Sequence, residues 1–309
     1  MESPLGGSFG DMSSADPGKE SQKKIKEAFE AGHFSQVVNL FSSVNLEPLP
    51  PKKRSELLFY YGMSLYETGD IEGAVKIMTQ SLKLDNQNAR ALDGAGTILA
   101  EQGKQHAAIA KYRAATKADH TLWEPYYHWA YLLKQIGSPK AALRKFLTVL
   151  ERKPDHVESY IHAGDCAFQL EHFQKALTFY ETALLKDTPS ADLLTRIGNT
   201  QLSLGERGKA IEAYETAIRL DPMEGSGYEN WGVLLHQEGK LEEAAAKYEE
   251  GLVHAPNSPT LLLRHGEVLV QMEKFPLATT IRAIQNLLTS IKSPPRLKNR
   301  RGLTKWCST

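Results

Sequence analysis

Cysteine is scarce in this sequence. The 309 residues hold two, Cys166 and Cys307, too few for a disulfide framework, so a reducing, cytoplasmic setting is the expectation. Net charge is lacking as well: 37 Lys and Arg balance 37 Asp and Glu. That balance leaves no whole-chain field to gather nucleic acid or an anionic membrane, so neither is expected as a partner. No apolar run reaches the ~18 residues of a membrane helix, so no membrane insertion is expected. The first residues, MESPLGGSFGDMSSADPGKESQKK, show no basic segment followed by an apolar one, and a secretory signal is not expected. Catalytic signatures are lacking too. There is no Gly-Lys-Ser/Thr loop, no His-Glu-x-x-His and no Gly-x-Ser-x-Gly. The stretch DGAGTILAEQGK (93–104) has two glycines spaced as in a dinucleotide loop, but Leu99 takes the third position and no strand pattern precedes it. The expectation is a protein that is not an enzyme and needs no cofactor.

What the sequence does have is a period. Ala74, Ala108, Ala142, Ala176, Ala210, Ala244 and Ala278 follow one another at 34 residues without a gap. Twelve positions before each alanine stands Gly62, Gly96, Ala130, Gly164, Gly198, Gly232 or Gly266. Four positions after it stands Met78, Tyr112, Phe146, Tyr180, Tyr214 or Tyr248, and Arg282 breaks the series. Ser81, Ala115, Val149, Ala183, Ala217 and Gly251 form a further small column. Within each unit the apolar residues take helical spacing, as in Tyr228, Trp231 and Leu235. A break follows at Gly69, Gly103, Gly137, Gly205 or Gly239, where glycine tolerates positive φ and ends the first helix. Pro154, Pro222 and Pro256 close their units. Each unit therefore reads as two antiparallel helices, with small residues where the helices meet closely and an aromatic filling the adjacent hole.

These columns resemble the tetratricopeptide repeat, a 34-residue helix–turn–helix unit. The resemblance covers roughly residues 20–292, with units beginning at 55, 89, 123, 157, 191, 225 and 259. It implies an all-α, right-handed superhelical solenoid of stacked antiparallel helix pairs. FEAGHFSQVVNLF (29–41) aligns Gly32 with the break glycines and Phe41 with the aromatic column, so 20–54 reads as a degenerate first repeat. The seven repeats of 55–292 end in a degenerate one, in which Ile281, Ile284, Leu288 and Ile291 are expected to cap the stack. Residues 1–19, rich in Gly, Ser, Pro and Asp, are expected to be disordered, and 293–309 to form a basic flexible tail.

Family members line a concave surface with first-helix columns 2, 5, 6, 9 and 12. Carried onto this chain, the middle of that surface is Tyr127, His128, Tyr131, Ile161, His162 and Asp165. Tyr127 and Tyr131 are either a clamp for an apolar peptide residue or ordinary surface aromatics. Tyr126 and Trp129 fall in packing columns and are assigned to the core, as are Trp231, Gly232, Ala244 and Tyr248. Glu242, Glu243, Glu249 and Glu250 read as a solvated face. His162 and Cys166, four apart, with His128 one repeat earlier, are too few for a metal centre and read as a polar pair beside a packed thiol. Relatives that grip a peptide carboxylate do so with Lys, Asn, Asn, Lys and Arg over three units. The matching positions here are Thr195, Asn199, Asn230, Thr260 and Arg264, so both lysines are missing and an asparagine-based grip on an extended backbone is the expectation. The implied function is a protein- or peptide-binding scaffold or adaptor. The alternative is the substrate-recognition arm or subunit of an enzyme assembly such as a protein glycosyltransferase complex.

Overall fold

Helix, turn, helix is what the 34-residue period becomes. The computed structural model describes residues 17–187 and 189–272, and among them there are fifteen helices and no strand. The fold is an all-α helical solenoid. It divides into two compact units that meet at Thr121 and Leu122.

In the first unit, α1 (Pro17–Glu30) packs on α2 (Phe34–Phe41), α3 (Pro51–Thr68) on α4 (Ile71–Leu84), and α5 (Ala89–Glu101) on α6 (Gln105–Ala118). The second unit repeats the scheme with α7 (Glu124–Gln135) and α8 (Pro139–Arg152), α9 (Val157–Gln169) and α10 (Phe173–Lys186), and α11 (Ala191–Ser203) and α12 (Arg207–Leu220). It continues with α13 (Ser226–Gln237), α14 (Leu241–His254) and α15 (Pro259–Gln271). Helix α1 already includes residues 17–19, at the end of the stretch expected to lack order. Residues 1–16, the capping residues Ile281 to Ile291, Ala278, Arg282 and the basic tail lie outside the described residues.

The turns follow from local chemistry. Gly32, Gly69, Gly103, Gly137, Gly205 and Gly239 all have φ between 73° and 95°, the left-handed region that a side chain disfavours. In the α9–α10 turn the same position is Glu171, at φ 59°. Three of the second turns end in a side-chain cap: Asn88, Ser190 and Ser258 accept from the backbone N–H three residues on in α5, α11 and α15, which satisfies one orphan donor each.

The columns meet as their sizes require. Ala74, Ala108, Ala142, Ala176, Ala210 and Ala244 are all fully buried. A Cβ on Gly96, Gly164, Gly198 or Gly232 would lie 2.3–2.6 Å from the ring of Tyr112, Tyr180, Tyr214 or Tyr248, closer than carbon atoms approach. So each aromatic rests on the bare backbone of its partner helix. Phe146 instead faces Ala130, and both are fully buried.

Candidate functional site

First helices α7, α9, α11, α13 and α15 carry every candidate residue, and all lie in the second unit. Helix α7 touches α9, α11 touches α13 and α13 touches α15, and α9 is bonded to α11 through Asp165 and Arg196. Across α7, α9 and α11, side chains at columns 12 and 9 meet those at columns 9 and 6 of the next repeat.

At the centre is Asp165. Its Oδ2 is held by Lys134 Nζ. Its Oδ1 accepts from Tyr180 OH at 2.8 Å and from Arg196 Nη1 at 2.5 Å. Lys134 Nζ also lies 3.1 Å from His162 Nδ1, and Arg196 Nε donates to Asp192 Oδ2 at 2.9 Å. One carboxylate thus joins α7, α9, α10 and α11. Burial alone would raise its pKa, but the His162 hydrogen bond and the Arg196 and Lys134 charges outweigh burial and hold it well below the usual carboxylate range. The His162 pKa is lowered, first by burial, with Lys134 and Arg196 adding to the effect and Asp165 opposing it. Lys134 and Arg196 were missed from the sequence as functional residues. A signal existed: Lys134, Asp165 and Arg196 stand 31 apart, one repeat less one helical step, at columns 12, 9 and 6.

That diagonal recurs. Asp155 accepts from Lys186 at 3.1 Å, Ser226 Oγ donates to Thr195 Oγ1 at 3.2 Å, and Arg207 pairs with Glu238. Each pair is again 31 apart.

The aromatic cluster differs from expectation. Tyr127 is 7 % exposed and His128 5 %. The Tyr127 ring lies 4.8 Å from His156, 6.0 Å from Phe146 and 6.2 Å from Trp123 between ring centres. Both readings of Tyr127, as half of a clamp or as a surface aromatic, are corrected accordingly: Tyr127 is buried among Trp123, Phe146 and His156, and Tyr131 alone of the pair stays half-buried, 5.4 Å from His162. Burial raises the Tyr127 hydroxyl pKa far above its ordinary value. Tyr126 and Trp129, assigned to the core, are half-buried instead, with Lys145 Nζ 4.0 Å from the centre of Trp129 and the Arg152 guanidinium 4.4 Å from that of Tyr126. Each ring presents an outer face to a cation. Trp231, also assigned to the core, is half-buried in the same way, packed against the cluster that holds Tyr248 and Leu235, with Lys247 Nζ 4.0 Å from its centre. Glu242, Glu243, Glu249 and Glu250 are exposed. Cys166 is a buried free thiol whose pKa burial pushes up to about 11, so it stays protonated. Among the described residues no three His, Cys, Asp or Glu side chains come together as a metal site.

The polar face is more open. Asn199 Oδ1 accepts from Tyr214 OH at 2.6 Å, so its amide nitrogen points outward as a donor. Asn230 Nδ2 donates to Ser226 O at 2.8 Å, leaving its Oδ1 as an acceptor. Both residues are half-buried. Arg264 Nη1 lies 3.1 Å from Glu267 Oε2, with each side chain a little over 40 % exposed. Thr195 departs from the expected set: it is 4 % exposed and its hydroxyl donates to Ala191 O within α11. Thr260 is exposed, 3.3 Å from Ser258 Oγ.

The chain matches the profile of the tetratricopeptide repeat over residues 62–121, 127–192 and 195–259. Compared with curated proteins by sequence, it finds no significant match. Among solved structures it is similar to YrrB, described as a TPR protein with an unusual peptide-binding site, at 21 % identity and a TM-score of 0.52, over 59 % of this chain and 93 % of YrrB. It is also similar to a tetratricopeptide repeat protein from Parabacteroides merdae, at 18 % identity and a TM-score of 0.61, over 76 % and 99 % of the two chains. A third likeness is to PilF of Pseudomonas aeruginosa, at 17 % identity and a TM-score of 0.58, over 66 % and 91 %. At these identities the likeness is one of fold.

Proposed function

The chain belongs to the tetratricopeptide-repeat family, and we propose that it is a non-catalytic scaffold or adaptor holding an extended peptide or partner segment across α11, α13 and α15. The observation that supports the reading is the pair of asparagines. Tyr214 turns the Asn199 amide so that it offers N–H, and Ser226 turns the Asn230 amide so that it offers C=O. An extended backbone has both needs unmet, and two pre-oriented amides on successive helices answer one of each. Arg264, in an exposed pair, is a weakly held cation at the far end of the same face. The face within α7 to α11 is different, because Asp165 already occupies Lys134 and Arg196 there. A cytoplasmic setting is part of the proposal, in keeping with the buried free thiol of Cys166.

The test begins with peptides selected from a displayed random library on the wild-type protein, then titrated by calorimetry. Asn230→Ala removes the acceptor without touching a packing column, and a loss of ~1–2 kcal/mol is expected, roughly 5- to 30-fold in Kd. Glu250→Ala, on the exposed side of α14, is expected to bind as wild type does. Equal affinity for wild type and Asn230→Ala would move the site away, to the face around Tyr131 and His162.

A further inference from the structure

Three first helices of this molecule, α5, α11 and α15, are capped by Asn or Ser. Before α9 the capping position holds His156, two repeat lengths after Asn88 and one before Ser190. With φ −77° and ψ 92° it has the extended backbone of an N-cap. Its Nδ1 accepts from Ser159 N–H at 3.3 Å, an amide shared with the His156 carbonyl at 3.1 Å, and lies 2.8 Å from Ser159 Oγ. Accepting at Nδ1 requires the neutral ring with its proton on Nε2. The same ring fills the junction between two repeats: its centre is 4.5 Å from Trp123 and 4.8 Å from Tyr127. Ser159 is fully buried behind it.

We propose that this junction is a pH-responsive joint, in which neutral His156 caps α9 and wedges Trp123 and Tyr127, and protonation in mild acid uncaps α9 and loosens the face bearing Tyr131, His162 and Asp165. An imidazolium has N–H on both nitrogens. The Ser159 hydroxyl can reverse and accept from Nδ1–H, but the Ser159 amide cannot, and a positive charge then sits at the positive end of the helix dipole. The groups facing the ring mostly oppose that charge. Lys153 stands on the preceding turn with its Nζ 4.5 Å from the centre of Trp123, His162 follows on α9 and His128 on α7. Glu158, with Oε2 3.8 Å from Nε2, is the acid that favours it. Burial first, then Lys153, His162 and His128 against Glu158, bring the His156 pKa down to about 4. With the folded value lowered, the unfolded segment binds more protons. The stabilisation is complete above the free-imidazole value of 6.5 and is lost as pH falls from there toward about 4.

The joint stands whether or not the asparagine face binds a peptide, because its test needs no partner. Hydrogen exchange of the segment around residues 156–162 is followed at pH 7 and pH 5 and corrected for the intrinsic rate at each pH. Linkage gives an opening constant larger by about 20-fold at pH 5 than at pH 7 in the wild type. His156→Asn and His156→Ser, which place the caps of α5, α11 and α15 at this position, are expected to keep their protection at both pH values. His156→Ala should open readily at both. The background of His128 and His162 is the same in every variant. A wild type equally protected at pH 5 and 7 overturns the proposal, as do Asn and Ser variants that lose protection as steeply as wild type.

Discussion

Two junctions in the second unit are built on the same columns and end differently. Around α9, α10 and α11, Tyr180 lies on Gly164 and donates to Asp165, which Arg196 of the next repeat also grips. Around α13, α14 and α15, Tyr248 lies on Gly232 in the same way, and Arg264 stands where Arg196 stood. Here the position of Asp165 is taken by Val233. The Tyr248 hydroxyl is buried without a hydrogen-bond partner, and Arg264 turns to Glu267 on its own helix. Elsewhere the hydroxyl and its acceptor go together: Tyr112 donates to Thr97 at 3.4 Å and Tyr214 to Asn199. Where the column has no hydroxyl, at Phe146 and Met78, the acceptor position holds Tyr131 and Met63. The glycine contact sets helix spacing at Gly96, Gly164, Gly198 and Gly232 alike. The polar position beside it decides whether a repeat is bonded to its neighbours or merely packed on them.

The largest expected effect comes from breaking the bonded junction. Asp165→Ala strands Lys134, Arg196 and the Tyr180 hydroxyl together. Fully buried pairs lose ~3–5 kcal/mol when one partner is removed, and the partial exposure of Lys134 and Arg196 reduces the expectation to ~2–3 kcal/mol. Urea denaturation of unit-spanning protein measures it. The same carboxylate makes this junction acid-sensitive: its lowered pKa means the stabilisation is complete above the ordinary Asp range near pH 4 and is lost below it. Asp165→Asn should flatten that acid limb, whereas the Tyr248 junction has no carboxylate to lose at this position. Gly164→Ala and Gly232→Ala come next, each forcing a methyl into a tyrosine ring. Both are expected to cost ~1–3 kcal/mol, and equal costs would confirm that the two junctions share their packing. The hydroxyls then separate them. Tyr180→Phe should cost ~1–2 kcal/mol because a buried carboxylate loses a donor, while Tyr248→Phe should be near neutral or slightly stabilising in the same denaturation experiment. The smallest effect is a gain: Val233→Asn supplies Tyr248 with the acceptor that Asn199 gives Tyr214, and a rise of ~0.5–1 kcal/mol is expected.

Spacing made the helix pairs, the alanine and glycine columns and the break glycines legible, because each is a demand of backbone geometry that recurs at a fixed interval. Asn199, Asn230 and Arg264 fall on successive first helices for the same reason. Column 5 is not uniformly open surface: Phe59, Asp93, Tyr127 and Thr195 are buried there, whereas Leu263 is exposed. At column 6, His128 is buried while His162, Arg196, Asn230 and Arg264 are not. Beside His128 the rings of Trp123, Tyr127 and His156 pack together. Contacts between repeats join residues about 31 apart, and a reading in columns 34 apart compares residues that do not touch. Glu171 shows the converse. Its positive φ follows from position alone, even though its residue type argues against it.

The Asp165 diagonal bears on how such a chain can be shuffled. A repeat held only by alanines, glycines and rings is interchangeable with its neighbours, since every neighbour offers the same columns. Residues 157–190 are not. The bonds of Asp165 reach back to Lys134 and forward to Arg196, so duplicating or deleting that repeat would leave a cation on one side and a carboxylate on the other with a stranger. In this stretch three repeats form one indivisible cassette, to be moved, inherited or grafted together.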